Sequence, residues 1–455
     1  MSKDVYVVHC IDTEGPLYES LEATFQRLKE IFKIEIEPTK ENLIKLQNKE
    51  IECAGQEELI ADAFADKRIS TLGSWDQIDA MLDEVMSDGF RSSEADSDGN
   101  GWVYNWFCLD HVGFWGNNPR RRDVGYGNVY NHYYNLLKRK RQLGKDSLQF
   151  HYHALPFNGD YNYAGTAYVN SNNLFTILAR KIIDNHFFPS VYRAGMEAER
   201  PDAHWFLEQW IPFDFSCNSY VKENTMRQPD LRNGRYGDWR RATLHWHPYH
   251  PSHEDYQKVG SCKRWIGRCL SVDSRLVGLT LSDVKQAFEE SDNNHPTILA
   301  FSSHDFRSLK DEVLKCKNLI GEASKCYQEV KIHYATALGA MRKAEKIPYS
   351  KCGLRAQLEI NVDNAVLNVC VDELSFGVQP FLAIKTTSGQ YFWDNFDFSE
   401  CKTEWTYTFD DKTLQAFSID TIGIAINSSF GITEIIILDV LHNTQEKIVL
   451  NDIQL

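Results

Sequence analysis

Over roughly the first 345 residues, short apolar runs alternate with longer stretches in which apolar positions recur every three or four residues. The first run, Asp4 to Ile11, is β-branched on both faces, as a strand buried on both sides must be. It is followed by a helical stripe through Leu21, Phe25, Leu28 and Phe32, a restart at Pro38-Thr39, and a shorter stripe through Leu43 and Leu46. The clearest helix has Ser74 as N-cap, Ile78, Met81, Leu82, Val85 and Met86 on one face, and Gly89 as its stop. Further strands are predicted at Val103–Leu109, Ser147–His153, Val191–Arg193, Phe213–Ser216, Thr243–His247 and Thr297–Ser303. The intervening helices fall at Tyr130–Arg141, Leu174–Ile183 and Ala203–Gln209, and a last one carries Tyr327, Val330, Tyr334, Leu338 and Met341.

Strands alternating with helices predict a parallel α/β barrel. Near Pro348 the period changes to two: Leu354, Ala356, Leu358, Ile360 and Val362 alternate, and so do Ala365, Leu367, Val369 and Val371. Phe381–Ile384, Thr421–Ile426 and Glu434–Leu441 are further strand candidates. The expected fold is therefore a distorted (β/α) barrel over residues 1–347, with a helical insertion around 17–100. An antiparallel, jelly-roll-like β-sandwich is expected over 348–455.

Composition adds little to that architecture but narrows the partners. The net charge of −15 argues against nucleic acid and anionic membrane surfaces. No apolar run reaches the roughly 20 residues of a membrane span. The chain enters its first strand directly from Met1-Ser2-Lys3, and its 11 cysteines include no CxxC pair, so a reducing cytoplasm is expected. Aromatic residues are abundant, at 13%, and Tyr391-Phe392-Trp393 offers ring surface on which a sugar could stack.

Candidate chemistry gathers where predicted strands end, as a parallel barrel expects. Asp12 and Glu14 close the first strand two residues apart, so both point to one side if the strand continues. His151 and His153 share a strand face with Cα atoms about 7 Å apart, and can converge on one metal ion. Arg193 with Gly195, and His304 with Asp305, end two further strands. Asp110-His111 follows another and could supply a further ligand or a substrate contact. Leu244-His245-Trp246-His247-Pro248 is histidine-rich but proline-broken; it fits an irregular loop near the barrel mouth, with His245 or His247 touching substrate. Arg120-Arg121-Arg122 reads as a solvated loop able to hold a phosphate or carboxylate. Asp96 to Gly101 copies the first half of a calcium loop, but Phe107 stands where the bidentate Glu is needed, so a hydrophilic turn is expected.

The order of these motifs resembles the NodB-homology polysaccharide deacetylases: an acidic pair after the first strand, a later histidine pair, an arginine motif and a histidine on the last strand. The resemblance spans roughly residues 4–345, with large insertions. It implies Asp12 as general base, Glu14, His151 and His153 as ligands of a divalent metal, most simply zinc, Arg193 as the group orienting the base, and His304 as general acid. Two departures stand out. The family's histidines are usually four apart, here two, and its carboxylate ligand is usually Asp, here Glu.

The expected activity is a metal-dependent hydrolase that removes an N-acetyl or similar acyl group from a sugar. A cytoplasmic location would point to a nucleotide- or lipid-linked intermediate of surface-glycan synthesis as substrate. Two rivals remain: a glycoside hydrolase using Asp12 and a second carboxylate, and a non-catalytic glycan-binding or assembly protein. Oligomerisation is open.

Overall fold

The structure is a computed structural model and describes residues 3–112, 120–121, 123–155, 168–221, 236–274, 276–361, 364–399 and 401–450. Arg122, Pro156 and Val362 lie outside the described residues.

Seven parallel strands close a barrel: β1 (Asp4–Thr13), β2 (Tyr104–Leu109), β3 (Ser147–Tyr152), β4 (Val191–Ala194), β5 (Phe213–Cys217), β6 (Trp265–Ser271) and β7 (Thr297–His304). Their order around the barrel is their order in sequence, and β7 returns to pair with β1. An eighth strand, β8 (Lys331–Tyr334), is a wedge rather than a stave. It pairs with Asp4–Val7 of β1, whereas His9–Thr13 of the same strand pair with β2. β1 thus contacts three strands and is buried along almost its whole length.

The alternation along β1 explains both cores. Val8 and Cys10 face a barrel interior shared with Phe107, Val191, Phe213, Phe215, Cys269, Ile298 and Ala300. Val5, Val7 and Ile11 face the surrounding helices and join the larger outer core. The helix Ala337–Ala344 plugs the N-terminal end of the interior with Leu338 and Met341. Asp12 continues the inward face of Val8 and Cys10, so its side chain emerges at the C-terminal end.

The inserted helices Leu21–Phe32, Lys40–Gln47, Glu57–Ala63 and Trp75–Val85 are capped by Ser20, Thr39 and Ser74, apart from the third. Phe25, Leu28, Phe32, Leu46, Ile60 and Phe64 give the first three a small core of their own, while Ile78, Leu82 and Val85 of the fourth join the barrel's outer core. The backbone bonds Leu17 N to Leu72 O and Leu72 N to Phe306 O, at 3.0 and 2.9 Å, tie this insertion to the C-terminal end of the barrel.

The sandwich holds a four-stranded sheet and a five-stranded sheet, both antiparallel. In the larger one, the strands Phe381–Thr386 and Ile419–Asn427 are buried on both faces. Leu382, Ile384, Ile422 and Ile424 fill the sandwich, while Phe381, Ala383 and Ala425 belong to the barrel's outer core. Asn427 donates to the carbonyls of Pro189 and Trp210 at 2.7 and 2.8 Å. Tyr391 bonds Asp184 at 2.6 Å and Trp393 stacks on Phe175 at 3.8 Å, so two rings of the expected sugar platform are engaged in packing against the helix Asn173–Asn185.

Three sequence expectations are corrected. Thr243–His247 forms no strand; the barrel's missing strand is β6. The final helix expected from Tyr327 to Met341 is the strand β8 followed by the helix Ala337–Ala344. The helix from Trp75 ends at Val85 rather than at Gly89, which lies in the next turn, Asp88–Arg91.

Candidate metal centre and its cleft

Three donors converge at the C-terminal end of the barrel. His151 Nε2 and His153 Nε2 lie 3.1 Å apart, and Glu14 Oε1 lies 3.7 and 3.5 Å from them. These atoms fall within 4.8 Å of one another. Ligands on a tetrahedral ion with bonds of about 2.0–2.1 Å stand about 3.3 Å apart, so the set matches one zinc-sized ion. The tautomer fits too. His151 donates its Nδ1–H to the carbonyl of Arg193 at 3.0 Å, which leaves Nε2 a bare lone pair aimed at the other donors. Burial holds the His151 and His153 imidazoles below their ordinary range, hence neutral, as metal ligands must be.

Each donor is fixed by neighbours. The Arg121 guanidinium bonds the other carboxylate oxygen of Glu14 and also its backbone carbonyl, and it lies over the Phe306 ring. His111 donates Nε2–H to the Glu14 carbonyl at 2.7 Å. Asp305 accepts the N–H groups of Glu14 and Gly15 at 3.0 and 2.8 Å, and the Tyr133 hydroxyl at 3.0 Å. Burial raises the Asp305 carboxyl to about 6 and lowers His111 to about 4. Gly195 is required by contact: a Cβ there would stand 2.3 Å from the His153 ring. The next two residues, Met196 and Glu197, both have φ near +50°, a strained turn wrapped around the site.

Beside the donors sits a buried ion pair. Arg193 grips both oxygens of Asp12, Nε to Oδ1 at 2.7 Å and Nη2 to Oδ2 at 2.9 Å. Burial alone would raise the Asp12 carboxyl, but the guanidinium overrides it and holds it well below the usual carboxylate range. Arg193 also donates to the Phe215 carbonyl and to Cys269. Glu197 stands 3.8 Å from it, its carboxyl pushed by burial up to about 7. His304 is the residue of β7 in register with Asp12 on β1, and its Nε2 lies 3.9 Å from Glu14 Oε1. Burial lowers its imidazole to about 3.

The structure thus brings Asp12, Glu14, His151, His153 and His304 into one cleft, which encloses about 1350 Å³ with its open mouth, and sets Arg193 fully buried behind Asp12. Asp110 and His111 line it too, but from behind other groups. Asp110 accepts the N–H of Gly127 at the head of the helix Asn128–Arg139 and pairs with buried Lys181 at 2.8 Å. His245 and His247 are elsewhere. The carbonyl of Trp246, between them, accepts the N–H of Ile298 at the start of β7, which places this loop at the N-terminal end of the barrel, opposite the mouth where it was expected. His245 faces Glu290 at 3.2 Å, and His247 faces Glu345 at 3.7 Å.

Sequence alone assigns no role to Glu197 and does not reveal the Glu14-holding bonds of Asp305 or the close approach at Gly195; Arg121 belongs to the basic run read as able to hold a carboxylate, and the carboxylate it holds is that of Glu14. Asp305 adjoins His304, Glu197 and Gly195 follow Arg193, and Arg121 sits in the basic run. Proximity to the motifs was the available signal.

No protein-family model, curated protein or solved structure matches the chain.

Proposed function

We propose that the chain is a divalent-metal-dependent deacylase of an amino sugar, organised like the NodB-homology deacetylases. The observation that carries this reading is the convergence of Glu14, His151 and His153 on one point beside the Asp12–Arg193 pair. Two nitrogens and one oxygen, with room left for water and substrate, suit zinc. Bound there, the ion would polarise the amide carbonyl and acidify a water molecule. Asp12, kept ionised by Arg193, takes the water's proton. The adjacent His304, neutral in the resting state, relays that proton to the departing amine. Arg121 and His111 keep Glu14 in place throughout.

A glycoside hydrolase reading accounts for less of the geometry, because it gives the convergence of Glu14, His151 and His153 no role. The test is elemental analysis of the purified chain together with acetate and reducing-sugar assays on N-acetylated sugars. One zinc per chain and acetate release are expected. A chain that takes up no divalent metal, or that liberates reducing ends without acetate, overturns the proposal.

A further inference from the structure

The cleft above the metal centre is lined by five arginines, Arg27, Arg68, Arg120, Arg121 and Arg307, in a chain whose net charge is −15. Most are balanced. Glu19 is shared by Arg27 and Arg120 at 3.0 and 2.8 Å. Arg68 pairs with Asp62 and Asp273 at 2.9 and 3.0 Å, and Arg121 holds Glu14. Arg307 differs. Its Nη1 donates only to the backbone carbonyl of Asp273, at 3.0 Å, and among the described residues no carboxylate lies within 4 Å of it. Its Nε is buried without a hydrogen-bond partner. A guanidinium so placed has donors to spare for a ligand.

Its location is informative. Arg307 N donates to the carbonyl of His304 at 3.3 Å, so it sits in the turn that carries the proposed proton donor. The acids near it on the wall are already committed: Asp273 to Arg68, while the Glu312 carboxyl is pushed by burial up to about 7. Ser302, Ser303 and Arg68 line the same cleft.

We infer that Arg307, flanked by Arg68, is an anion subsite that binds a phosphoryl group carried on or next to the sugar ring whose acyl group is removed. A phosphoryl group suits the site better than a carboxylate, because it presents more oxygens and more than one charge to the Arg307 guanidinium, whose donors are not taken by a carboxylate. The substrate class, a phosphorylated or diphosphate-linked acylamino sugar, rests on the deacylase reading; the anion subsite does not.

Calorimetric titration of pyrophosphate into the full chain tests it, alongside Arg307→Ala, Arg307→Lys and His153→Ala. Binding is expected to weaken at least roughly tenfold in Arg307→Ala, the scale of one lost charge-assisted contact. It should recover in part in Arg307→Lys, which retains charge without the fork, and survive in His153→Ala. Binding that is unchanged in Arg307→Ala, or that vanishes in His153→Ala, overturns the subsite, since pyrophosphate would then be reporting on the metal. A chain that binds pyrophosphate through Arg307 but takes up no zinc retains the subsite and loses the deacylase. A second series separates the sources of the phosphate: a nucleoside diphosphate binding more tightly than pyrophosphate assigns a nucleotide-linked sugar, and a short alkyl diphosphate doing so assigns a lipid-linked one.

Discussion

The two ends of the barrel carry similar residues and do opposite things with them. At the N-terminal end, His333 lies between Asp98 and Asp4, each 2.9 Å from one of its ring nitrogens. Asp96 accepts N–H groups from Asp98, Asn100 and Tyr334. Those donors and acceptors satisfy one another, and the group behaves as a clamp that ties the Asp96–Gly101 turn to β8. At the C-terminal end, His151 spends one nitrogen on a backbone carbonyl and turns the other toward His153 and Glu14 at distances too long for hydrogen bonds to Glu14. By residue type and spacing both Glu14–His151–His153 and Asp96–Asp98–His333 could hold a metal ion; they differ in how far their donors are already paired within the fold.

The largest expected effect tests that contrast directly. His153→Ala should abolish stoichiometric zinc and lower deacylation by about a thousandfold or more, on the scale lost when a catalytic ion goes. His333→Ala should leave both intact. Equal zinc content in the two variants, by elemental analysis, would erase the distinction between the ends. Next in size is Arg193→Ala. It leaves the Asp12 carboxylate buried beside no cation, and removing one partner of such a pair costs about 3–5 kcal/mol. Urea unfolding should show that loss, whereas Arg355→Ala, whose partner Asp372 is exposed, should change stability by less than about 1 kcal/mol.

What could be read from the sequence followed the same division. Strands β1, β2, β3, β4, β5 and β7 are apolar enough to stand out, and their polar ends marked the cleft. β6 did not, because Gly267 and Arg268 interrupt its apolar run. Gly267 sits where a Cβ would stand 3.1 Å from both Phe215 and Met341, and Arg268 packs over Trp246 and reaches Asp283. β8 was hidden in an apparent helical stripe because it is short and only half-buried. In the site, the candidate ligand triad and the ion pair were legible as motifs at strand ends. The basic run was legible as a carboxylate holder, but neither that Arg121 would hold Glu14 nor that Asp305 would do so could be read, since both return to Glu14 from over a hundred and nearly three hundred residues away. The histidines at 245 and 247 misled because composition carries no information about which end of a barrel a loop occupies.

Gly195→Ala gives a finer measure of how far the site depends on position. The added methyl meets the His153 ring at 2.3 Å and must push it away from His151. A displaced ligand costs about 10–100-fold in metal affinity. Competition with a chromophoric chelator should show this with His151 still in place. An unchanged zinc affinity would mean that the ring has room to retreat and that the spacing of the two histidines is not what sets the site.

The smallest effect concerns His9, midway between the two ends and fully buried. Its Nδ1 accepts from Trp102 Nε1 at 3.1 Å and its Nε2–H faces Ser303 Oγ at 2.8 Å, so the neutral ring is satisfied and a second ring proton would oppose the indole N–H. Burial lowers it to about 3, against about 6.5 when unfolded. Between those values the unfolded chain binds the extra proton and the folded chain does not. Stability from this residue is therefore complete above about pH 6.5 and is lost as pH falls below it. From pH 7 to pH 5 the loss is about 2 kcal/mol. Raised carboxyls such as Glu345, at about 7, pull in the other direction over the same range, so wild type alone is ambiguous. The stability difference between wild type and His9→Gln isolates the residue: it should narrow by about 2 kcal/mol on acidification. A gap that stays constant with pH would show that His9 takes up its proton inside the fold, and that the outer core around β1, where Trp102, Tyr104 and Phe301 enclose it, is less sealed than its burial requires.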